Sequence, residues 1–176
     1  LVAQTGKPVL ISTGMGNLAE IEEALETLRA NGCPEICLLK CTAAYPAKVS
    51  EANLQTLVEF ADRFGVIPGL SDHTMGPTLP MVATALGAKV IEKHITLARA
   101  DGGPDSAFSL EPDEFADMVR VVRDAESALG EVVFEPSAGE IRSRDFRRSL
   151  YVVGDMKAGD VFTVDNLRSI RPATGL

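Results

Sequence analysis

Short continuous apolar runs alternate with segments of helical spacing four times in the first 130 residues. The runs are "KPVLIS", "EICLLKC", "GVIPGLS" and "AKVIEKHIT". The segments that follow them predict helices over residues 18–31, 51–64, 78–86 and 112–129. Asn17 is the expected N-cap of the first helix, with Glu20 at N3 and Gly32 beyond its end. Continuous apolar runs are typical of parallel strands with helices on both faces, so the pattern predicts an α/β fold.

These four strand–helix units have about half the usual length of a (β/α)8 barrel, which is roughly 250 residues. The same units are also compatible with a small open sheet. The opening residues, "LVAQTGK", look like the end of a preceding helix, which favours half of a barrel. We therefore predict that residues 1–130 form the C-terminal half of a TIM-barrel catalytic domain.

The pattern changes after Gly130. Residues 131–146 have no sustained period and are expected to form a linker. Residues 147–176 contain short strand-like runs around an expected turn at "KAGD". So short a segment cannot close a core of its own, and we predict the truncated N-terminal part of a small β-rich domain.

Composition narrows the functional classes. The 176-residue chain carries a net charge of -8 with interspersed charges, so no basic stripe suggests a nucleic-acid or anionic-membrane partner. No apolar run approaches the roughly 18 residues that a membrane-spanning helix needs. We expect a soluble, cytoplasmic protein. The three cysteines in "CPEICLLKC" could ligate an iron–sulfur cluster. Cys37 and Cys41 share a face of one predicted strand, and nothing there folds back to gather three sulfurs, which favours buried structural thiols.

The chain contains only two histidines, His73 and His94, and each follows one of the predicted strands. In parallel α/β sheets and barrels, ligands bind at the carboxyl ends of the strands. One crossover separates these two strands, so they are expected to be neighbours about 4.8 Å apart. Two imidazoles so placed can reach one metal ion that keeps open positions for water or substrate. The alternative is a pair of rim histidines satisfied by hydrogen bonds.

Other polar groups also follow predicted strands. The hydroxyl and carboxyl side chains are those of Ser12, Thr13, Thr42, Ser71 and Asp72. With backbone N–H groups at Gly14 and Gly16 they suit an anionic ligand, although "STGMG" alone is compatible with a plain turn. Asp105 could bind sugar hydroxyls or serve as a turn carboxylate. Glu92 shares a strand face with His94, unless it pairs with Lys93 or Lys89.

Several motifs in order resemble the sialic acid synthase (NeuB) family. They are "STGM", "CT-A-YPA", "GLSDHT", "ALGAKVIEKHIT", "GGPDSAFSLEPDEF", "RRSLYVV-DMKAGDVFT" and "NLRSIRPATGL". "GGPDSAFSLEPDEF" together with "SRDFRRSLYVV" is most similar to the pseudaminic acid synthases of that family. The resemblance implies a (β/α)8 barrel followed by a SAF (antifreeze-like) domain. It also implies condensation of phosphoenolpyruvate with an amino-sugar aldehyde to a nonulosonic acid, with release of phosphate.

The resemblance also implies roles for individual residues. His73 and His94 match ligands of a divalent metal, usually Mn²⁺, with Mg²⁺ or Co²⁺ as alternatives. Ser12 and Ser71 match residues that hold phosphoenolpyruvate. The positions that match residues around the sugar are Tyr45, Glu92, Asp105 and Phe146, with Glu92 as the expected catalytic residue. Arg171 matches an arginine that enters the partner's active site in a domain-swapped homodimer. Relatives carry Asn or Ser where this chain has Ala43, so one hydrogen bond to phosphoenolpyruvate is expected to be lost or supplied by water.

Three alternatives remain open at the level of sequence. The first is the same chemistry on another sugar, giving N-acetylneuraminate or legionaminate. The second is a non-catalytic carbohydrate-binding protein, which the retained histidine pair disfavours. The third is another barrel enzyme that condenses phosphoenolpyruvate in an aldol-type reaction, which the SAF-like segment disfavours.

Overall fold

The computed structural model describes residues 1–171, apart from the side chain of residue 145. The chain divides into two compact units, Leu1–Gly130 and a second unit that begins at Glu131. Within the described residues, no helix combines the length and the apolar character needed to cross a membrane.

The first unit is built on a four-stranded sheet in which the strands run parallel in chain order. Its strands are β1 (Val9–Ser12), β2 (Ile36–Cys41), β3 (Ile67–Asp72) and β4 (Val90–Lys93). The predicted α/β class and all four strands are confirmed. Register places Ser71 beside Glu92 and Asp72 beside Lys93 at the carboxyl ends of β3 and β4.

Four helices follow the strands, and three of them begin within a residue of their predicted starts. They are α1 (Leu18–Ala30), α2 (Thr56–Phe64), α3 (Thr78–Ala85) and α4 (Pro112–Leu129). In α1 the Asn17 backbone N–H donates to Glu20 at 2.8 Å while the Glu20 N–H donates to the Asn17 side chain at 3.1 Å. Helix α2 begins later than predicted because Val49–Glu51 form a separate 3₁₀ turn and Asn53 takes a φ of 46°.

The helices pack on one face of the sheet, whereas the apolar runs suggested that both faces would be covered. The core combines Leu38 and Leu70 from the strands with Leu25, Leu57 and Phe60 from the helices. Alternate strand residues point to the other face, which we call the inner face. The inner face of the outer strand β1 is open, since Leu10 is 55% exposed.

Gly69 allows β3 to lie close to both of its neighbouring strands, β2 and β4. A Cβ atom at Gly69 would lie 2.4 Å from the Leu39 side chain and 2.9 Å from the Val90 carbonyl oxygen. Its partners across the sheet are those same two residues, Leu39 on β2 and Val90 on β4. A side chain at this position would therefore push against both neighbouring strands.

The second unit contains a two-stranded antiparallel sheet of β5 (Ser149–Val152) and β6 (Leu167–Ile170). The predicted turn at "KAGD" is confirmed, because the Asp160 N–H donates to the Lys157 carbonyl at 3.1 Å. The expected linker is not wholly irregular, since it holds a short helix α5 (Ala138–Ile141) that Ser137 caps and a 3₁₀ turn, Arg144–Phe146. The motif residues 172–176 lie outside the described residues.

Candidate active site

The two histidines lie side by side at the carboxyl edge of the sheet. His73 directly follows β3 and His94 directly follows β4, and the two strands are hydrogen-bonded neighbours. Their ring centroids are 5.1 Å apart. The predicted approach of these two side chains is therefore found in the structure.

The ring of His73 is held in one tautomer. Its Nδ1 lies 3.1 Å from the carbonyl oxygen of Thr42. A carbonyl can only accept, so Nδ1 carries the proton of this hydrogen bond and Nε2 of the neutral ring keeps its lone pair. His73 is buried, and the Ala47 N–H donates to its carbonyl oxygen at 2.9 Å. The ring therefore presents a fixed lone pair, as a metal ligand requires.

His94 is more open and faces a carboxylate. Its Nδ1 lies 3.8 Å from Oδ2 of Asp105, which is longer than a hydrogen bond. The Leu110 N–H donates to the His94 carbonyl at 3.0 Å, which fixes the backbone just beyond β4. The structure thus brings Asp105 to the histidine pair, while its role toward the sugar stays a prediction.

Two aromatic rings wall the histidine pair. The Tyr45 ring lies 4.4 Å from the His73 ring and 6.2 Å from the His94 ring, measured between centroids. Phe108 packs at 5.1 Å from His94 and 5.4 Å from Tyr45. Tyr45 is 55% exposed while Phe108 is buried. The sequence predicted Tyr45 at the site but missed Phe108, because an apolar residue in a loop has no distinguishing signal.

Glu92 and Ser71 form a polar pair on the inner face, one strand position before the rim. The Ser71 hydroxyl donates to Oε1 of Glu92 at 2.7 Å. Ser71 is buried, and Glu92 lies on the same face as His94 because two residues separate them. The alternative pairing of Glu92 with Lys93 is wrong, since Lys93 binds Asp72 instead. Glu92 is therefore available to the site.

Asp72 does not face the site, although the sequence placed it on the polar rim. Its carboxylate lies on the helix-covered side of the sheet, 2.6 Å from Lys93 Nζ, and both side chains are only 1% exposed. Thr13 and Thr42 also have internal partners, because their hydroxyls donate to the carbonyls of Leu39 and Glu51. A sequence signal for the ion pair existed: Asp and Lys each stand just before a histidine on neighbouring strands.

Ser12 ends β1 and lines a separate open cavity of about 360 Å³ beside the turn into α1. Ser12 and Ser71 are on strands separated by β2, which puts about two strand spacings, roughly 10 Å, between them across the sheet. The register also sets Ser12 level with Gly69, two residues before Ser71. At Gly14 a Cβ atom would lie 3.1 Å from Cys41 Sγ and 3.3 Å from the Ala43 side chain. The β1–α1 turn therefore packs directly on Ala43.

The loop between β4 and α4, which carries Asp105 and Phe108, is fastened by Arg99. Its guanidinium binds both carboxylate oxygens of Glu114 and lies 3.8 Å from Glu111. The hydrogen bond from Arg99, followed by one from the Glu111 backbone N–H, lowers the pKa of Glu114 from 4.5 to about 2. This exposed clamp joins the loop to the first turn of α4.

The three cysteines are free and buried, and each has different surroundings. Cys33 Sγ faces the Glu35 carbonyl at 3.4 Å, whereas Cys41 Sγ lies 3.9 Å from His73 Nδ1. Burial raises the pKa of the Cys37 thiol. These positions agree with the predicted role as structural thiols.

Two imidazoles fit a divalent metal with only part of its coordination supplied by protein. No group of three His, Cys, Asp or Glu side chains that could hold a metal ion is found within residues 1–171. The Nε2 lone pair of His73 and the 5.1 Å separation of the two ring centroids would allow both imidazoles to bind one cation. Water or substrate oxygens would then complete its coordination. A metal at this site stays a prediction.

Two predicted site residues belong to the second unit. Phe146 ends the 3₁₀ turn and is 46% exposed. Arg171 directly follows β6 and is exposed. Their roles toward a sugar stay predictions.

Comparison with known proteins gives a consistent result. The profile of the NeuB family matches residues 1–134. The chain is 42% identical over 176 residues to a pseudaminic acid synthase of Campylobacter jejuni, covering 100% of this chain and 51% of the relative. It is also 42% identical over 178 residues to an N,N'-diacetyllegionaminic acid synthase of the same species, covering 99% of this chain and 53% of the relative. The chain thus spans about half the length of the curated relatives it matches.

A solved structure supports the fold. The N-acetylneuraminic acid synthetase of Leptospira borgpetersenii, crystallised with citrate, superposes with a TM-score of 0.73 at 34% identity. The match covers 83% of this chain and 51% of that chain. The parallel sheet of the first unit is therefore the half-barrel that the sequence predicted, while the SAF identity of the second unit stays a prediction.

Proposed function

Because the chain belongs to the NeuB family, we propose that the full-length protein carrying it condenses phosphoenolpyruvate with an amino-sugar aldehyde. The product is a nonulosonic acid, and phosphate is released. The observation that carries this proposal is the histidine pair, with ring centroids 5.1 Å apart, above the Ser71–Glu92 pair. Relatives named as pseudaminic and legionaminic acid synthases share 42% identity with the chain, which supports a synthase activity.

We assign the sugar to the pseudaminic branch of the family. The support is the motif "GGPDSAFSLEPDEF", which includes Asp105 and Phe108 at the histidine pair. Overall identity does not separate the branches, since the pseudaminic and legionaminic relatives match equally at 42%. The assignment of the sugar therefore depends on residues at the site rather than on overall similarity, and the assay below tests it.

His73 and His94 would hold a divalent cation, with Mn²⁺ expected and Mg²⁺ or Co²⁺ as alternatives. When bound, such a cation supplies Lewis-acid polarisation of the sugar's carbonyl oxygen. The protein prepares its two ligands in different ways. The Thr42 carbonyl fixes the His73 tautomer, while Asp105 lies beside His94 Nδ1.

Phosphoenolpyruvate would lie along the inner face, where carbon 3 of its double bond attacks the aldehyde carbon. Water then adds to carbon 2, and phosphate leaves with cleavage of its C–O bond. The Ser71 hydroxyl lies on this face and Ser12 ends the outer strand, so both are assigned to phosphoenolpyruvate. Because the chain has a net charge of -8, binding of this polyanion depends on local hydrogen-bond donors. Ala43 offers no such donor.

Glu92 is assigned as the catalytic carboxylate, which accepts from Ser71 and from a substrate hydroxyl or water. Tyr45 and Asp105 would contact the sugar. Phe146 and Arg171 are assigned to the sugar as well, with Arg171 acting on the partner's site in a domain-swapped homodimer. The second unit of the chain is assigned as part of a SAF domain. The support for these last assignments is the sequence resemblance, and the cytoplasmic location also stays a prediction.

The test uses a full-length protein that carries this sequence, with phosphoenolpyruvate and Mn²⁺. The diacetamido-trideoxy-altrose precursor, its gulose-derived counterpart and N-acetylmannosamine are offered separately, and product mass and phosphate are followed. We expect product from the altrose sugar alone, and loss of product when a chelator is added.

Product from another sugar would keep the synthase activity and change the substrate. No product from any sugar, with binding of one of them retained, would favour a carbohydrate-binding protein. Product that persists with chelator would contradict the metal assignment.

A further inference from the structure

The buried pair of Asp72 and Lys93 lies directly behind the two histidines. Asp72 precedes His73 on β3, and Lys93 precedes His94 on β4. Side chains alternate along a strand, so the ion pair points to the helix-covered side and the histidines to the inner side. A 2.6 Å contact between Lys93 Nζ and Asp72 Oδ2 thus joins the ends of the two strands that carry the histidines.

The hydrogen bonds of this pair surround His73. Besides Asp72, Lys93 Nζ donates to the carbonyl oxygens of Thr74 and Gly76. The other carboxylate oxygen of Asp72 accepts from the backbone N–H and the hydroxyl of Thr74, both at 2.8 Å. One ammonium group therefore holds the chain on both sides of His73 while it is itself attached next to His94.

The pair is saturated and has no access to a ligand. Both side chains are 1% exposed, and Thr74 is buried as well. A buried ion pair offers little stability beyond that of well-packed apolar residues, but it fixes geometry when every donor and acceptor is used. We infer that Asp72 and Lys93 are positioning residues that set the separation and orientation of His73 and His94.

This inference rests on the proposed function for what the histidines hold, but the geometry can be measured without a metal. The test compares wild type, Asp72→Asn, Lys93→Met and the double variant Asp72→Leu/Lys93→Met in the full-length protein. Thr84→Ala is the matched control, because it removes another buried hydrogen bond, the 2.8 Å contact to the Pro80 carbonyl, away from the histidines.

Three properties are measured on each variant: the melting temperature, Mn²⁺ affinity by calorimetry, and the ¹⁵N chemical shifts of both imidazoles in the metal-free protein. Loss of a residue that orients metal ligands weakens metal binding by about 10- to 100-fold. We expect this loss in each single variant, together with loss of the fixed Nδ1–H signal of His73. The double variant should regain thermal stability without regaining Mn²⁺ affinity or the His73 Nδ1–H signal. Thr84→Ala should keep the wild-type affinity and the wild-type His73 signal.

Wild-type affinity and wild-type imidazole shifts in a folded double variant would overturn the inference, since the pair would then be a replaceable structural contact. If Lys93→Met does not fold, Asp72→Asn and the double variant decide the same question. If wild type binds no Mn²⁺, the metal part of the proposed function fails, and the imidazole shifts alone decide whether the pair positions the histidines.

Discussion

The two faces of the sheet carry opposite kinds of polar chemistry at the ends of β3 and β4. On the helix-covered side, the side chains of Asp72 and Lys93 are buried and bind one another and the segment that follows His73. On the inner side, Ser71 and Glu92 pair at 2.7 Å, and His73 and His94 follow at the rim. Successive residues of one strand therefore alternate between a closed network and an open site.

The difference lies in how much hydrogen-bonding capacity each side of the sheet leaves unused. A closed network that uses all of its donors and acceptors has nothing left to offer a ligand, but it holds the backbone in place. The inner side has groups that a ligand can still bind. They are the Nε2 lone pair of His73, the carboxylate oxygen of Glu92 that Ser71 does not contact, and the exposed side chain of Tyr45. The variants below break or sharpen this contrast, in order of expected effect.

Removing the His73 imidazole should have the largest effect. In the full-length protein, His73→Ala is expected to lower metal-dependent turnover about 1,000-fold or more, because Lewis-acid assistance contributes several kcal/mol. Initial rates of phosphate release at saturating Mn²⁺ measure this effect. Cys33→Ala is the control, since it truncates a buried side chain at the opposite end of β2. Full activity of the His73 variant would contradict the metal site.

Neutralising the inner carboxylate should have an intermediate effect. Glu92→Gln keeps an oxygen that can accept from Ser71 but removes the negative charge, so the fold should be preserved. We expect kcat to fall by about 100-fold, which is typical for the loss of a carboxylate that transfers a proton in the reaction. Steady-state kinetics for both substrates, with thermal melting as a check on folding, measure it. An unchanged kcat would remove Glu92 from the site.

Removing the exposed ion pair of Arg99 and Glu114 on the β4–α4 loop should have the smallest effect, and it should act on stability at acid pH. Since the pKa of Glu114 is lowered from 4.5 to about 2, its contribution is fully present above about pH 4.5 and is lost as pH falls toward 2. In Glu114→Gln this part of the acid dependence of unfolding should disappear, while stability at low pH stays close to wild type. Denaturant melts between pH 2 and 6 test this, and a wild-type pH profile would be inconsistent with the clamp.

Much of the fold follows from the sequence because strands and most helices carry local signals. Capping by Asn17 and Glu20 and the proline at the start of α4 mark helix ends within a few residues. The start of α2 was missed because the turn at Asn53 depends on a positive φ that its helical-looking sequence does not reveal. The prediction that helices cover both faces of the sheet was wrong. Strand residues that face the interior of a barrel are as apolar as those that face helices, so the sequence pattern is the same in both cases.

The candidate site was predictable where it depended on strand ends. His73, His94 and Glu92 were placed together by counting along neighbouring strands, and the structure agrees. Asp72 was misplaced because its polar character was given more weight than the alternation of the strand. Phe108 reaches the site through a loop whose path depends on Arg99, a tertiary contact that no local pattern encodes.

The close packing at Gly69 bears on the distance between the strands that carry the two histidines. Gly69 lies on the inner face of β3, four residues before His73, and its neighbours belong to β2 and β4. With hydrogen in place of a side chain there, the Leu39 side chain and the Val90 carbonyl oxygen occupy the space that a Cβ atom at Gly69 would need. Any larger residue would act as a spacer between strands, and the gap between the two imidazoles would widen with it.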